Sequence, residues 1–292
     1  MARAKVSPTI ELEYETFGDP QNPALVLMEG HGAQMVKWDT EYCKMFAAKN
    51  LFVIRFDNRD CGLSTKFDGI EVDLGATLKA ALLEEPLPPV PYTLSDMASD
   101  VVGLLDHLKI DRAHIFGVSL GGMIAQVLTI EYPMRVRSLI SVMSMTGEPE
   151  YGQSTPEAIG ALLSASPSDR AGYIEHSIVY QVYHSKKYRS DEFSKTSAAR
   201  DFDRMYYPQG SNRQLAAVYA SGRRTEQLRA IKTPTLVIHG KDDTLISPSG
   251  GERTAELIPN AKFVLVEDMG HDMPKPLWGF LVELITEFVA KH

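Results

Sequence analysis

Gly117-Val118-Ser119-Leu120-Gly121 sets a serine among small residues in the pattern G-x-S-x-G. That pattern suits a sharp strand-to-helix turn that pushes the hydroxyl out into the open. A serine hydroxyl is a weak nucleophile until a base takes its proton, and the base needs an acid to orient it. The acid expected next in the chain lies in His239-Gly240-Lys241-Asp242-Asp243-Thr244. Its G-x-x-D spacing selects Asp243 and leaves Asp242 as the alternative. His271, in Gly270-His271-Asp272, is the one histidine of the eight placed between a late strand and the last helix, where an imidazole can reach back to the serine. Such a set performs acyl transfer through a serine ester, and the tetrahedral intermediate then needs two backbone N–H donors for its oxyanion. Leu120, after the serine, supplies one; His31, in Glu29-Gly30-His31-Gly32, supplies the other, with Gly32 as the alternative. Only the backbone of His31 is required for this.

These residues must be positioned by strands and helices, and the chain alternates the two. Thr9 to Phe17 reads as a strand, as do Ala24–Met28, Leu51–Phe56, Ala113–Gly117, Val136–Met143, Thr235–His239 and Ala261–Val266. Several are continuous apolar runs, the mark of strands covered on both faces. Helical patterns fall at about Thr40–Lys49, from Thr93 or Ser95 through Leu108, at Met123–Glu131 and at about Leu277–Ala290. The alternation predicts a mostly parallel sheet wrapped by helices, an α/β architecture. Each candidate residue then follows the carboxyl end of a strand. Residues 66 to 92 break the rhythm, and Glu85-Pro86-Leu87-Pro88-Pro89-Val90-Pro91 is too rich in proline for helix or central strand. From about Gly147 to Arg229 strand signals nearly vanish, and Ser168–His184 and Asp191–Tyr207 look helical. The expected organisation is a core of residues 1–146 and 230–292, with a helical cap at 147–229.

Composition narrows the partners. The 292 residues are 44% hydrophobic and 23% charged, as in an ordinary globular chain. With 30 Lys and Arg against 38 Asp and Glu the formal charge is −8, and no basic stripe is present, so nucleic acid is not an expected partner. No apolar run approaches the roughly 18 residues of a membrane helix, and the first residues lack the apolar stretch of a secretion signal. Two cysteines, Cys43 and Cys61, make neither a disulfide framework nor a metal motif. A cytoplasmic location, no cofactor, no metal and a small-molecule substrate are the resulting expectations, and a homo-oligomer is left open.

Together, Glu29–Gly32, the run Phe56-Asp57-Asn58-Arg59-Asp60-Cys61-Gly62-Leu63-Ser64, Gly117–Gly122, Gly240–Asp243 and Gly270-His271 resemble the α/β-hydrolase family with a helical cap. The likeness covers nearly all the chain outside 66–92 and 150–230. Within the family it is most similar to the aclacinomycin methylesterase-like carboxylic ester hydrolases, through the Asp57–Ser64 run and the His114–Gly122 elbow. The resemblance implies a mostly parallel eight-stranded sheet, a triad of Ser119, Asp243 and His271, and oxyanion donors His31 and Leu120. It implies hydrolysis of small to medium esters; lactone hydrolysis, C–C bond hydrolysis or perhydrolysis could use the same residues, and a ligand receptor on the same scaffold is a reading of another class. Where many relatives carry His-Gly, this chain has Glu29-Gly30, so a carboxylate in that loop must find a partner. Asp57, Arg59 and Asp60 read as a rigid turn held by side-chain hydrogen bonds and ion pairs. Cys61 reads as a packed residue, and Met123, Met143, Met145 and Met273 as core filling or pocket lining.

Overall fold

The computed structural model describes residues 1–83 and 85–292. In chain order the elements begin with β1 (Ala2–Lys5), β2 (Glu11–Phe17), β3 (Ala24–Met28), α1 (Thr40–Ala47), β4 (Phe52–Phe56), α2 (Leu74–Leu82) and α3 (Leu94–His107). There follow β5 (Ala113–Val118), α4 (Leu120–Glu131) and β6 (Val136–Val142). Helices α5 (Pro156–Leu162), α6 (Arg170–His176), α7 (Asp191–Arg204), α8 (Gln209–Ser221) and α9 (Thr225–Arg229) come next without an intervening strand. The chain then closes with β7 (Thr235–Gly240), α10 (Ser249–Leu257), β8 (Lys262–Val266) and α11 (Trp278–Val289).

The strands form one sheet of eight in the order β1-β2-β4-β3-β5-β6-β7-β8. β1–β2 and β2–β4 are antiparallel, and the remaining pairings are parallel. β3 to β7 are buried along nearly their whole length, which explains why most of their residues are apolar. On one face Leu94, Met97, Val101 and Leu104 of α3 and Ile124 and Leu128 of α4 close over the sheet. On the other, Tyr42 and Phe46 of α1 meet Trp278, Leu281 and Ile285 of α11. Parallel pairing brings the carboxyl ends of β3, β5, β7 and β8 to one edge, the place where ligands bind in open α/β sheets.

Helix α3 starts as its sequence predicts: Thr93 accepts from the Asp96 N–H while the Asp96 carboxylate accepts from the Thr93 N–H. Two elements depart from expectation. β1 pairs with β2 at an edge where alternation is too short to read from sequence. Helix α2 lies inside the segment read as irregular, capped by Asp73 and packed on α8, while residues 85–91 are free of helix and strand as expected. The stretch Ser168–His184, expected to be helical, is α6 followed by a 3-10 helix, Ser177–Tyr183.

Candidate active site

Ser119 sits between the end of β5 and the start of α4 with φ 53° and ψ −120°, a conformation a non-glycine residue adopts only when its surroundings impose it. Its N–H donates to the Val142 carbonyl at 2.9 Å, and its own carbonyl accepts from Ser144 Oγ at 2.9 Å. The glycines on either side allow the close approach that makes the turn: a Cβ on Gly117 would lie 2.1 Å from the Gly121 carbonyl oxygen, and one on Gly121 would lie 2.2 Å from that of Met28. The result is a hydroxyl presented at the sheet edge on a backbone that cannot relax.

His271 Nε2 lies 2.9 Å from Ser119 Oγ, and His271 Nδ1 lies 2.7 Å from Asp243 Oδ2. Burial alone would raise the Asp243 pKa, but the positive charge that His271 can carry and hydrogen bonds from His239 and His271 outweigh it and hold the carboxyl below its usual range. An ionised carboxylate only accepts, so Nδ1 carries a proton and Nε2 is left to accept from the serine hydroxyl. The other Asp243 oxygen accepts from the N–H groups of Leu245 and Ile246, each at 2.9 Å. Asp242, the alternative acid, instead accepts from the Lys186 N–H at 3.2 Å and pairs with its ammonium at 3.5 Å. A second histidine, not foreseen from sequence, attends the acid: fully buried His239 has Nε2 2.8 Å from the Ile246 carbonyl and 3.2 Å from Asp243 Oδ2. The only hint available was its position at the strand end, four residues before Asp243.

The loop after β3 lies directly over the serine: a Cβ on Gly30 would come within 3.2 Å of Ser119 Cβ. Leu120 is the first residue of α4, so its N–H has no carbonyl to meet within the helix. Of the two candidates in the β3 loop, Gly32 already donates its N–H to Gln214 Oε1 at 2.8 Å. That leaves His31 as the better placed backbone donor. The His31 side chain turns away to put Nε2 2.8 Å from the Ser211 carbonyl, and burial lowers its pKa, against the opposing pull of that bond. It is therefore a neutral strut to α8. Ser211 and Gln214, the two α8 anchors of this loop, carry no sequence motif and were not foreseen.

Glu29 finds less compensation than a buried carboxylate needs. Its Oε2 accepts the neighbouring Gly30 N–H at 3.0 Å, while Lys37, whose charge acts on it, is engaged with Asp201 at 2.7 Å. Burial dominates and pushes its pKa up from 4.5 to about 7. The native state then keeps a proton that the unfolded chain has lost, so this group's contribution to stability falls as pH rises from 4.5 to about 7. The loss corresponds to about 3 kcal/mol. We expect Glu29→Gln to escape it, so thermal unfolding should show the variant gaining on the wild type by roughly that amount between about pH 4 and pH 8. A stability difference independent of pH would contradict the assignment.

The Asp57–Ser64 run is held by hydrogen bonds and ion pairs, as expected, but its partners come largely from far along the chain. Asp57 accepts from the Met35 and Leu63 N–H groups and pairs with Arg204 of α7 at 2.7 Å. Asp60 is gripped by both Arg213 Nε and Nη2 from α8, at 2.8 and 2.9 Å, and accepts from Tyr92 at 2.7 Å. Arg59 pairs with Asp100 of α3 at 2.6 and 2.7 Å. The run thus ties the sheet to α7 and α8 above it. Cys61 within it is buried, and burial drives its thiol pKa well up, so it stays protonated. Met123 and Met143 belong to the two cores, and Met145 and Met273 pack against them. Among the described residues no group of three or more His, Cys, Asp or Glu side chains is disposed to hold a metal ion, and no helix is long and apolar enough to cross a membrane.

Residues 23–274 match the family described as alpha/beta hydrolase fold. The chain is 26% identical to a rhodomycin D methylesterase of Streptomyces sp. strain C5, with 91% of this chain and 90% of that protein covered. It is 25% identical to 3-oxoadipate enol-lactonase 2 of Acinetobacter baylyi, with 88% and 85% covered. In structure it is similar to the enol-lactonase from Burkholderia xenovorans LB400, with a TM-score of 0.75 at 23% identity over 98% and 99% of the two chains. A sheet order, a strained elbow and a family match over most of the chain agree, and the chain belongs to the alpha/beta hydrolase fold family.

Proposed function

We propose that the protein is a carboxylic ester hydrolase that works through an acyl-enzyme on Ser119. The observation that carries this reading is the unbroken hydrogen-bonded line from Asp243 through His271 to Ser119. As Ser119 Oγ attacks the ester carbonyl carbon, its proton passes to His271 Nε2, and Asp243 stabilises the imidazolium through Nδ1. The carbonyl oxygen takes the negative charge, met by the backbone N–H groups of Leu120 and His31. On collapse the imidazolium returns its proton to the alcohol, which leaves. Water, deprotonated by the same nitrogen, then releases the acid and restores the serine.

Residues 147–229 act in this reading as a cap over the serine. Two groups of contacts support it: Ser211 and Gln214 fasten the loop bearing His31, and the Tyr183 ring stands edge-on to His271 with centroids 5.9 Å apart. A cap of this kind suits a small or medium substrate, and the methylesterase relative favours the ester of a small alcohol. Lactone hydrolysis is the second reading, favoured by the enol-lactonase relative.

A panel of p-nitrophenyl esters, methyl esters and lactones tests this directly. We expect turnover of short esters, lost when His271 is replaced by alanine. A complete lack of turnover across the panel, or undiminished turnover in His271→Ala, would overturn the reading.

A further inference from the structure

Asp272 follows His271 directly and has no part in the proton transfers just described, yet its surroundings are built. Its Oδ1 accepts two backbone N–H groups, from Ser185 at 2.8 Å and from Gly270 at 3.2 Å. Ser185 lies between α6 and α7, some 87 residues before Asp272 in the chain. The same segment returns a bond in the other direction: the His271 N–H donates to the Tyr183 carbonyl at 2.6 Å. Ser185 Oγ donates to the Asp268 carbonyl at 2.6 Å and accepts the Tyr188 N–H at 3.0 Å, so the segment is itself anchored. Contact is close enough that a Cβ on Gly270 would lie 2.4 Å from the His184 carbonyl carbon. The backbone of His271 is therefore fixed before, at and after the residue, and two of those three attachments run through one carboxylate oxygen.

We propose that Asp272 and the backbone of residues 183–185 form a latch that positions His271 for proton transfer. The proposal rests on the reading of His271 as the base. A hydrogen-bond donor or acceptor misplaced by about 1 Å can cost a hundredfold in rate, so holding the imidazole between Ser119 and Asp243 has kinetic value. Asp272 is a positioning residue: it touches neither the serine nor the acid. The groups around it are His271 and Asp243 from the site, His184 at the Gly270 contact, and the pairs Lys186–Asp242 and Lys187–Asp268 on the exposed rim. Burial raises its pKa to about 6, against the pull of the two N–H groups and of His271. The latch is thus carboxylate above about pH 6, where its hydrogen bonds are charge-assisted, and weakens below it.

Three variants assayed with p-nitrophenyl acetate and a fluorophosphonate probe test the proposal. Asp272→Ala orphans both N–H groups, and we expect kcat to fall about 10- to 100-fold with KM within about threefold. Asp272→Asn keeps an accepting oxygen in place and should retain kcat within about fivefold. Ser185→Ala frees the segment from Asp268 without touching the carboxylate and should lower kcat several-fold, so a poorly folding Asp272→Ala does not leave the matter open. Wild-type kcat in Asp272→Ala or in Ser185→Ala, or an Asp272→Asn as impaired as the alanine variant, would overturn the latch. Failure of the wild type itself to turn over ester or label at Ser119 would instead remove the esterase reading, and the latch with it.

Discussion

Ser119→Ala is expected to lower kcat on short esters by about 10⁴- to 10⁶-fold while leaving KM within a few-fold. The size follows from the proposed role of the hydroxyl: without it no acyl-enzyme could form, and the hydrogen-bonded line from Asp243 would end in a base with nothing to deprotonate but water. The Leu120 and His31 N–H groups remain, so a residue of catalysis above the solvent reaction should persist. The elbow carries strain at Ser119 of about 1–3 kcal/mol, and alanine retains it, so the fold should be unaffected. Steady-state kinetics of the purified variant check this; a loss of less than about tenfold would point to a different nucleophile.

The second large effect is on stability. Asp60 and Arg213 are both almost fully buried and joined by two hydrogen bonds. Arg213→Met strands the Asp60 carboxylate with only the Tyr92 hydroxyl and the Phe67 N–H for company. Breaking such a pair from one side costs about 3–5 kcal/mol. For a chain of this size that lowers Tm by about 10 °C. Neutralising the stranded group on its left-handed backbone (φ 63°) keeps the Tyr92 and Phe67 bonds and removes the charge, so Asp60→Asn with Arg213→Met should be more stable than Arg213→Met alone. A double-mutant cycle by thermal unfolding measures the coupling. A single variant within about 1 kcal/mol of wild type would show that the pair contributes little. Activity should suffer alongside, because the next residue, Gln214, holds the Gly32 N–H and with it the loop bearing His31.

Much of this was legible in the sequence for identifiable reasons. β3 to β7 are covered on both faces, so they are mostly apolar and their ends fall within about two residues of expectation. Ser119, Asp243 and His271 lie in short segments whose spacing relative to those strands is itself the signal. The neighbourhood of the site was less visible because it is assembled from distant parts of the chain. Nothing near Gln214, Ser211 or Ser185 announces a partner 182, 180 or 87 residues away, since hydrogen bonds to and from backbone groups leave no residue-type signature. Asp57 and Asp60 read as turn residues because their arginine partners, Arg204 and Arg213, sit on helices whose packing no local pattern discloses. Helix α2 stayed hidden because its stability comes from packing on α8 beside a proline-rich stretch, not from a strong amphipathic repeat.

Mass spectrometry of the protein quenched during turnover of p-nitrophenyl acetate, with peptide mapping of any adduct, tests the role of Ser119 most directly. An ester hydrolase working through Ser119 must pass through a covalent acetyl group on that hydroxyl, and His271→Ala should slow both its formation and its release. One acetyl group is expected, on the peptide containing Ser119 and absent in Ser119→Ala. Turnover without an adduct, or an adduct on another residue that turns over at the rate of the reaction, would contradict it.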